Sequence, residues 1–380
     1  MKVLIGADLV PTETNTELFA AGDVRELVGD ALLEILRSAD LRVFNLELPL
    51  TDKASPIAKN GPTLIAPTAA VAAYKALGVD WLTAANNHIM DQGIAGLEST
   101  RKVLEENSIG YLGIGDGLAE AAKPRIVEIQ GKKLGIYACV EHEFSVAEEA
   151  SPGANPFDPL ESPDHVAALK AQCDFVIVLY HGGKEHYRYP SPGLQKTCRK
   201  LVEKGADLVL CQHSHCVGCE EKYLQGTIVY GQGNFLFDHS KSEFWQTGLL
   251  VQLGEDFQVS YIPLCKKENV VRLALPEEAA QILEGFASRS EQIKDGAFLK
   301  QQYDRFAETL KNSYLLTFSS INYSKPFYRA LNKLSGNRWV QWYLRRTYKK
   351  DKLLAIRNYV ECEAHRELLL AYLQKKTPAS

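Results

Sequence analysis

The side chains best suited to chemistry in this chain sit where apolar runs stop. Asp8 follows "VLIGA", Asn45 and Glu47 close "VFNLE", and Asn86, Asn87 and His88 follow "WLTAA". His181 ends "FVIVLYH", Gln212, His213 and His215 follow "LVLC", and Asn234 follows "IVYGQG". Taken singly, each has an ordinary explanation. Acidic and amide side chains close turns and cap helices, and a histidine pair is commonly structural or at the surface. Six successive strand ends carrying such residues are harder to explain that way. Two carboxylates, an amide oxygen and three histidines drawn from these ends make an oxygen and nitrogen ligand set. It suits Mn²⁺, Fe²⁺ or Zn²⁺ better than the softer metals that prefer sulfur. His213 and His215 are two apart, so a regular strand would point both to one side, while a loop would let them serve two adjacent ions.

Strands are expected at 2–8, 41–47, 79–86, 133–141, 173–181 and 206–212, and helices at 24–39, 66–78, 93–109, 162–172 and 193–205. Such alternation predicts an α/β fold with helices covering a sheet. Expected strands at 226–235, 246–254 and 257–265 follow one another directly and predict a second or antiparallel sheet. In open α/β sheets the carboxyl ends of strands line the ligand crevice, so residues distant in sequence can converge there. Beyond about residue 275 the apolar spacing is helical. The expected division is therefore a domain at 1–265 and a mainly helical extension at 266–380.

Composition sets the outer limits. The 380 residues carry a formal charge of −4, with 46% apolar and 24% charged residues, ordinary values for a globular chain. No run approaches the ~20 apolar residues of a membrane span. The segment "MKVLIGADLV" reads as a first strand and not as a secretory leader, which predicts a cytoplasmic protein. The eight cysteines are scattered and are expected to be free thiols. Cys216 and Cys219 have the spacing of half a zinc site but no second pair, and Cys211 lies in an apolar strand and is expected in the core. The segment 323–352 is rich in Lys, Arg and aromatics and has one acidic residue. It reads as a helical cap packed on the first domain, or as a surface for a membrane or a capsule-assembly partner, peripheral at the inner membrane face. The negative net charge and the lack of a nucleic-acid motif argue against nucleic acid as a partner.

In order, "GADLVPT", "NLELPLT", "ANNHIMDQG", "HGGKEHYRYPSPGLQ", "GADLVLCQHSHCV" and "YGQGNFLF" resemble the successive motifs of the CapA family, named for poly-γ-glutamate capsule synthesis and related to the calcineurin-like metallophosphoesterases. The resemblance covers residues 2–265. It implies a four-layer αββα sandwich with two divalent ions between the sheets. One ion would be held by Glu47, Asn87, His181 and His213, and the other by Asp8, Glu47 and His215. His88 would be the catalytic residue, giving a proton or hydrogen bond to the leaving oxygen. Asn86, Glu185, His186, Arg188 and Asn234 would face the substrate, with Arg188 suited to a phosphate or carboxylate.

The activity implied is attack by a metal-bound hydroxide on a phosphoester or related anionic substrate, small molecule or polymer, in capsule or cell-surface polymer biosynthesis. The alternative is an accessory protein of capsule assembly that handles amide bonds or does not hydrolyse. Two departures from the wider pattern matter. A histidine usual two residues after the first aspartate is Val10 here, and Glu47 stands where a bridging aspartate is usual. Together they predict one tight and one weaker ion.

Overall fold

Among the described residues, fifteen strands form: β1 (Val3–Asp8), β2 (Leu41–Asn45), β3 (Trp81–Thr83), β4 (Gly110–Leu112), β5 (Ile114–Gly115), β6 (Arg125–Ile129), β7 (Lys132–Val140), β8 (Gly153–Ala154), β9 (Phe175–His181), β10 (Leu208–Gln212), β11 (Val217–Tyr223), β12 (Gly226–Gln232), β13 (Thr247–Leu253), β14 (Val259–Lys267) and β15 (Val270–Leu273). The computed structural model describes residues 1–237, 242–319, 321, 325–336 and 338–376. One sheet has the order β15-β14-β13-β1-β2-β3-β4, the other β11-β12-β10-β9-β7-β6, and β5 pairs with β8 apart from both.

The pleat sorts the apolar side chains into three layers. Val3, Ile5, Val43 and Val251 of the first sheet meet Ile136, Ile177, Leu179 and Leu208 of the second in a shared core. On the outer face of the first sheet, Leu4, Phe44 and Leu250 pack under helices Thr16–Ala21, Val24–Val28, Asp30–Arg37 and Val71–Leu77 through Phe19, Leu27, Leu36 and Tyr74. On the outer face of the second, Val176, Val178 and Val209 pack under helices Ser162–Lys170 and Pro192–Glu203 through Val166, Leu169, Cys198 and Leu201. The result is the αββα sandwich. Each fully buried aliphatic side chain contributes about 1.5–3 kcal/mol of transfer free energy, so successive buried residues such as Val3, Leu4 and Ile5 hold β1 between two apolar layers.

Strand direction puts the polar ends together. β1, β2, β3 and β4 are parallel neighbours, as are β7, β9, β10 and β12. Their carboxyl ends carry Asp8, Asn45, His181 and Gln212. Amides tie the two sheets at this end: Gln232 Nε2 donates to the carbonyls of Ile5 at 3.1 Å and Leu249 at 3.2 Å, and Gln212 Nε2 to that of Gly6 at 3.4 Å.

Several expectations are corrected. The helix expected at 24–39 is two helices, because Gly29 adopts φ 74°, which cannot continue a helix, and the Arg272 side chain packs where its Cβ would be. The strand expected at 79–86 ends at Thr83, and residues 84–92 form a tight polar turn. The chain divides into two compact units, Met1–Leu299 and Lys300–Ser380, where a division after residue 265 was expected. The reason is packing. β15 extends the first sheet beside β14, and the helix Pro276–Gln292 joins the inter-sheet core through Phe286.

The second unit is helical, from within Gly296–Thr317 through Pro326–Leu334, Arg338–Thr347, Lys350–Glu361 and Glu363–Lys376. Its small core is Leu316, Val340, Leu344 and Tyr348, and its last two helices bury no residue. Of the basic segment 323–352, positions 323, 324 and 337 lie outside the described residues. Among the described residues, no helix is long and apolar enough to cross a membrane.

β11 leaves the histidine-bearing loop through Gly218, which lies opposite Gly231 at φ 100°. A Cβ on Gly218 would lie 1.7 Å from the Tyr230 carbonyl oxygen and 3.1 Å from that of Arg188. Gly218→Ala is expected to lower stability by about 1–3 kcal/mol in urea unfolding. Gly296→Ala, in open space at a helix start, is expected to leave the urea midpoint unchanged or raise it slightly.

Candidate metal centre

Five of the expected ligands meet in two groups that share Glu47. Glu47, His181 and His213 form one, and Asp8, Glu47 and His215 the other, with ligand atoms within 4.8 Å of one another in each. Asn87 joins the first group, its Oδ1 lying 3.0 Å from His181 Nε2. That same nitrogen lies 3.1 Å from His213 Nδ1 and 3.3 Å from Glu47 Oε1. Asp8, Glu47 and Asn87 come from the ends of strands in the first sheet, and the three histidines from β9 and the loop after β10 in the second.

A scaffold of amides holds the first-sheet residues. Asn45, at the end of β2, donates through Nδ2 to Asp8 Oδ1 at 2.6 Å and lies 3.4 Å from His181 Nδ1. Asn86 Nδ2 donates to Asn45 Oδ1 and to the Leu46 carbonyl at 2.7 Å, while its Oδ1 accepts from the His88 backbone. Asn86 is fully buried and its amide is spent on this loop, so it positions Asn87 and His88 and does not face substrate as expected. On the second sheet, His213 and His215 take φ values of 78° and 53°. A non-glycine residue in that region costs about 1–3 kcal/mol, and such strain gathers at functional sites. The His215 ring stacks on Trp245, centroids 4.4 Å apart, and its Nδ1 lies 2.9 Å from Asn234 Oδ1.

The carboxylates reveal what this arrangement is short of. Among the described residues, both oxygens of Glu47 and Oδ2 of Asp8 are buried without a hydrogen bond, with ring nitrogens of His181 and His215 3.3 Å from Glu47 Oε1 and Asp8 Oδ2. A buried ionised carboxylate without partners costs several kcal/mol, and paired charge or metal coordination offsets that cost. Burial raises the Asp8 carboxyl, but the adjoining His215 and His181 rings and the Asn45 amide outweigh it, leaving it below the usual carboxylate range. Burial, and then the His181 and His215 charges, drive His213 well below its ordinary value, so its ring is neutral and keeps a lone pair for a ligand bond. Burial lowers His215, but the charges of Glu47 and Asp8 push it up to about 9. A divalent cation would satisfy these orphaned oxygens and the neutral His213 ring, and would replace the proton that Glu47 and Asp8 favour on His215, so the residues present fit such ions.

His88 lies on the same turn as Asn87. Its Nδ1 is 2.6 Å from Asp91 Oδ2, and Asp91 is fully buried, also accepting from the Leu64 backbone at 2.6 Å and from Lys59 Nζ at 2.6 Å. Asp91 anchors the His88 ring through Nδ1 and leaves Nε2 as the atom free to exchange a proton. The His-x-x-Asp spacing was the signal available for it. Nothing in the sequence pointed to Lys59, which arrives from a loop 32 residues away, or to Glu141, whose Oε1 accepts from the Gly183 backbone at 2.9 Å. Burial raises the Glu141 carboxyl, and a Cβ on Gly182 would lie 2.6 Å from Glu141 Cγ, which accounts for the glycine there.

The remaining expected substrate residues are divided. His186 lies at the edge of the centre, accepting from Trp245 Nε1 at 2.9 Å and stacking on Phe244. Asn234 backs His215, with its Nδ2 buried without an acceptor. Glu185 pairs with Lys184 at 3.8 Å. Arg188, expected to bind an anion, donates to the Val217 carbonyl at 3.1 Å, lies over the Phe244 ring and pairs with Glu243 at 3.6 Å. It supports the loop that carries the histidines. Among the described residues, neither metal-capable group contains a cysteine, and Cys211 and Cys219 pack in the outer core of the second sheet.

Glu47 belongs to both groups, so it is the most informative substitution. Adding Mn²⁺ or Zn²⁺ to metal-stripped protein at about 100 times the dissociation constant is expected to stabilise it by roughly 3 kcal/mol. Glu47→Gln is expected to abolish that shift in thermal unfolding, and His213→Ala to reduce it.

The family model for the bacterial capsule synthesis protein PGA_cap matches residues 3–239. The chain is 28% identical to the capsule biosynthesis protein CapA of Bacillus anthracis over 212 residues, 53% of this chain and 52% of that protein. It is 28% identical to the PGA biosynthesis protein CapA of Bacillus subtilis over 209 residues, 54% of this chain and 55% of that one. The chain thus spans about half the length of these curated relatives. Among solved structures it is similar to a phosphatase of Mycoplasma pneumoniae, at 15% identity and a TM-score of 0.44 over 75% of this chain and 96% of that one. By sequence and by the order of its motifs, the chain belongs to the bacterial capsule synthesis protein family PGA_cap.

Proposed function

We propose that this protein is a metal-dependent hydrolase acting on a phosphoester or related anionic bond in capsule or cell-surface polymer biosynthesis. The observation that carries the reading is Glu47, buried between two ligand groups with neither oxygen hydrogen-bonded among the described residues, in a centre whose Asn87 directly precedes a histidine already oriented by a buried aspartate. Divalent ions bound there would supply a Lewis acid and a water that ionises near neutral pH. The chain's own residues would do the rest. His88 holds a proton at Nε2 for the leaving oxygen while Asp91 fixes its ring, and Asn86 and Asn45 keep Asn87 and Asp8 in register. His186 and Trp245 wall the side nearest His215.

The two groups are unequal. Glu47, Asn87, His181 and His213 offer four protein ligands, whereas Asp8, Glu47 and His215 offer three, since Val10 stands where a fourth would be. One ion binds tightly and the other weakly or with the help of substrate, and Mn²⁺, Fe²⁺ and Zn²⁺ suit the donor set. This inequality, with the capsule-synthesis names of the relatives, also supports a second reading: an accessory protein that handles amide bonds or an anionic polymer with little hydrolysis.

A screen of phosphomonoesters, phosphodiesters and γ-glutamyl amides in Mn²⁺-supplemented buffer separates the two. Hydrolysis is expected to fall about 10²–10⁴-fold in His88→Ala with metal content unchanged, and to be lost with one ion in His213→Ala. Turnover indifferent to both substitutions would remove the hydrolase reading, and binding of polymer without turnover would favour the accessory one.

A further inference from the structure

Between residues 325 and 350 the chain carries eight Lys and Arg residues and no Asp or Glu. Among the described residues, none of the eight takes part in an ion pair, although other helices of this unit carry several. Crowding like charges without counter-ions is unfavourable, and an anionic surface relieves it. The helix Arg338–Thr347 sorts its residues by face. Val340 and Leu344 are buried, while Arg338, Gln341, Trp342, Arg345 and Arg346 line a shallow hollow of about 550 Å³ on the other side. Positions 338, 342, 345 and 346 follow the spacing of neighbours on one helix face, and the Arg346 guanidinium lies 5.8 Å from the Trp342 ring centroid. Tyr328 stacks on Trp339, which stacks on Tyr343, so an aromatic ladder fixes the helix Pro326–Leu334 against this one.

We propose that this basic face docks on an anionic lipid surface. The apolar residues among the cations select lipid over a soluble polyanion. Trp342 is 57% exposed, Phe327 69% and Leu334 87%. Tryptophan favours the headgroup boundary of a bilayer, and Phe and Leu gain free energy from reaching the acyl region. A hydrated polymer or a nucleic acid offers a leucine nothing comparable. Each basic residue at an anionic leaflet adds about a fivefold gain in partition. This inference stands apart from the hydrolase reading, since it uses no residue of the metal centre.

The test is flotation of the full chain with phosphatidylcholine vesicles, with and without phosphatidylglycerol. Binding is expected with phosphatidylglycerol and not without it, and is expected to fall steeply with added salt. The triple variant Arg338→Glu, Arg345→Glu, Arg346→Glu is expected to lower partition by about 100-fold or more, with far-ultraviolet dichroism unchanged. Where that variant loses helicity, Trp342→Phe decides: quenching by brominated lipid, expected in the wild type, should drop in the variant. Equal binding to neutral vesicles, quenching unaltered by Trp342→Phe, or retention by heparin without vesicle binding would each overturn the proposal.

Discussion

Everything at the mouth of this sandwich is organised around a carboxylate taken out of water without a donor. Glu47 follows β2, is fully buried, and has no hydrogen bond at either oxygen. Leaving such a group buried is among the most costly things a fold can do. The surroundings do not remove that cost by hydrogen bonding, as they do for Asp91, which accepts from a lysine, a histidine and a backbone amide. Asp8, Glu47 and Asp91 are all buried, yet among the described residues only Asp8 and Glu47 of these three keep oxygens without a hydrogen bond. That contrast separates ligand from scaffold more clearly than residue type does.

The scaffold explains why parallel strands matter here. Parallel neighbours end side by side, so their terminal residues fall in a row. Asp8 pairs in register with Asn45 across β1 and β2, and His181 with Gln212 across β9 and β10. The amides of Asn45 and Asn86 then bind one strand end to the next, and the stacked Trp245 fixes the His215 ring from outside the sheets. Precision in the ligands comes from neutral side chains that need not change when charge arrives.

Much of this was legible in the sequence, for identifiable reasons. Apolar runs marked the strands, polar residues at their ends marked the candidates, and the family motifs singled out Asp8, Glu47, Asn87, His181, His213 and His215, which the fold brings together. The αββα layering followed from the alternation and the family motifs. β11 escaped notice because its second half, Glu220–Tyr223, is only partly buried and has no clean alternation. The extent of the first unit was misjudged because β15 and the helix after it owe their place to long-range packing, which leaves no local signature. For Arg188, residue type alone could not distinguish a carbonyl from an anion as partner, and its Nη1 donates to the Val217 carbonyl. Asn45 and Lys59 act by hydrogen bonds that only three dimensions bring about.

Each ligand group draws on both sheets, and this makes the inter-sheet spacing a variable of the site. Ligand bonds tolerate only a few tenths of an ångström, while cores relax by similar amounts when their side chains change size. Ile177, Leu208 and Val251 lie in the layer between the sheets and belong to neither ligand group. They nonetheless act as shims that set the gap any bound ion would have to bridge. The affinity of such a site for an ion would therefore respond to hydrocarbon that supplies no donor atom.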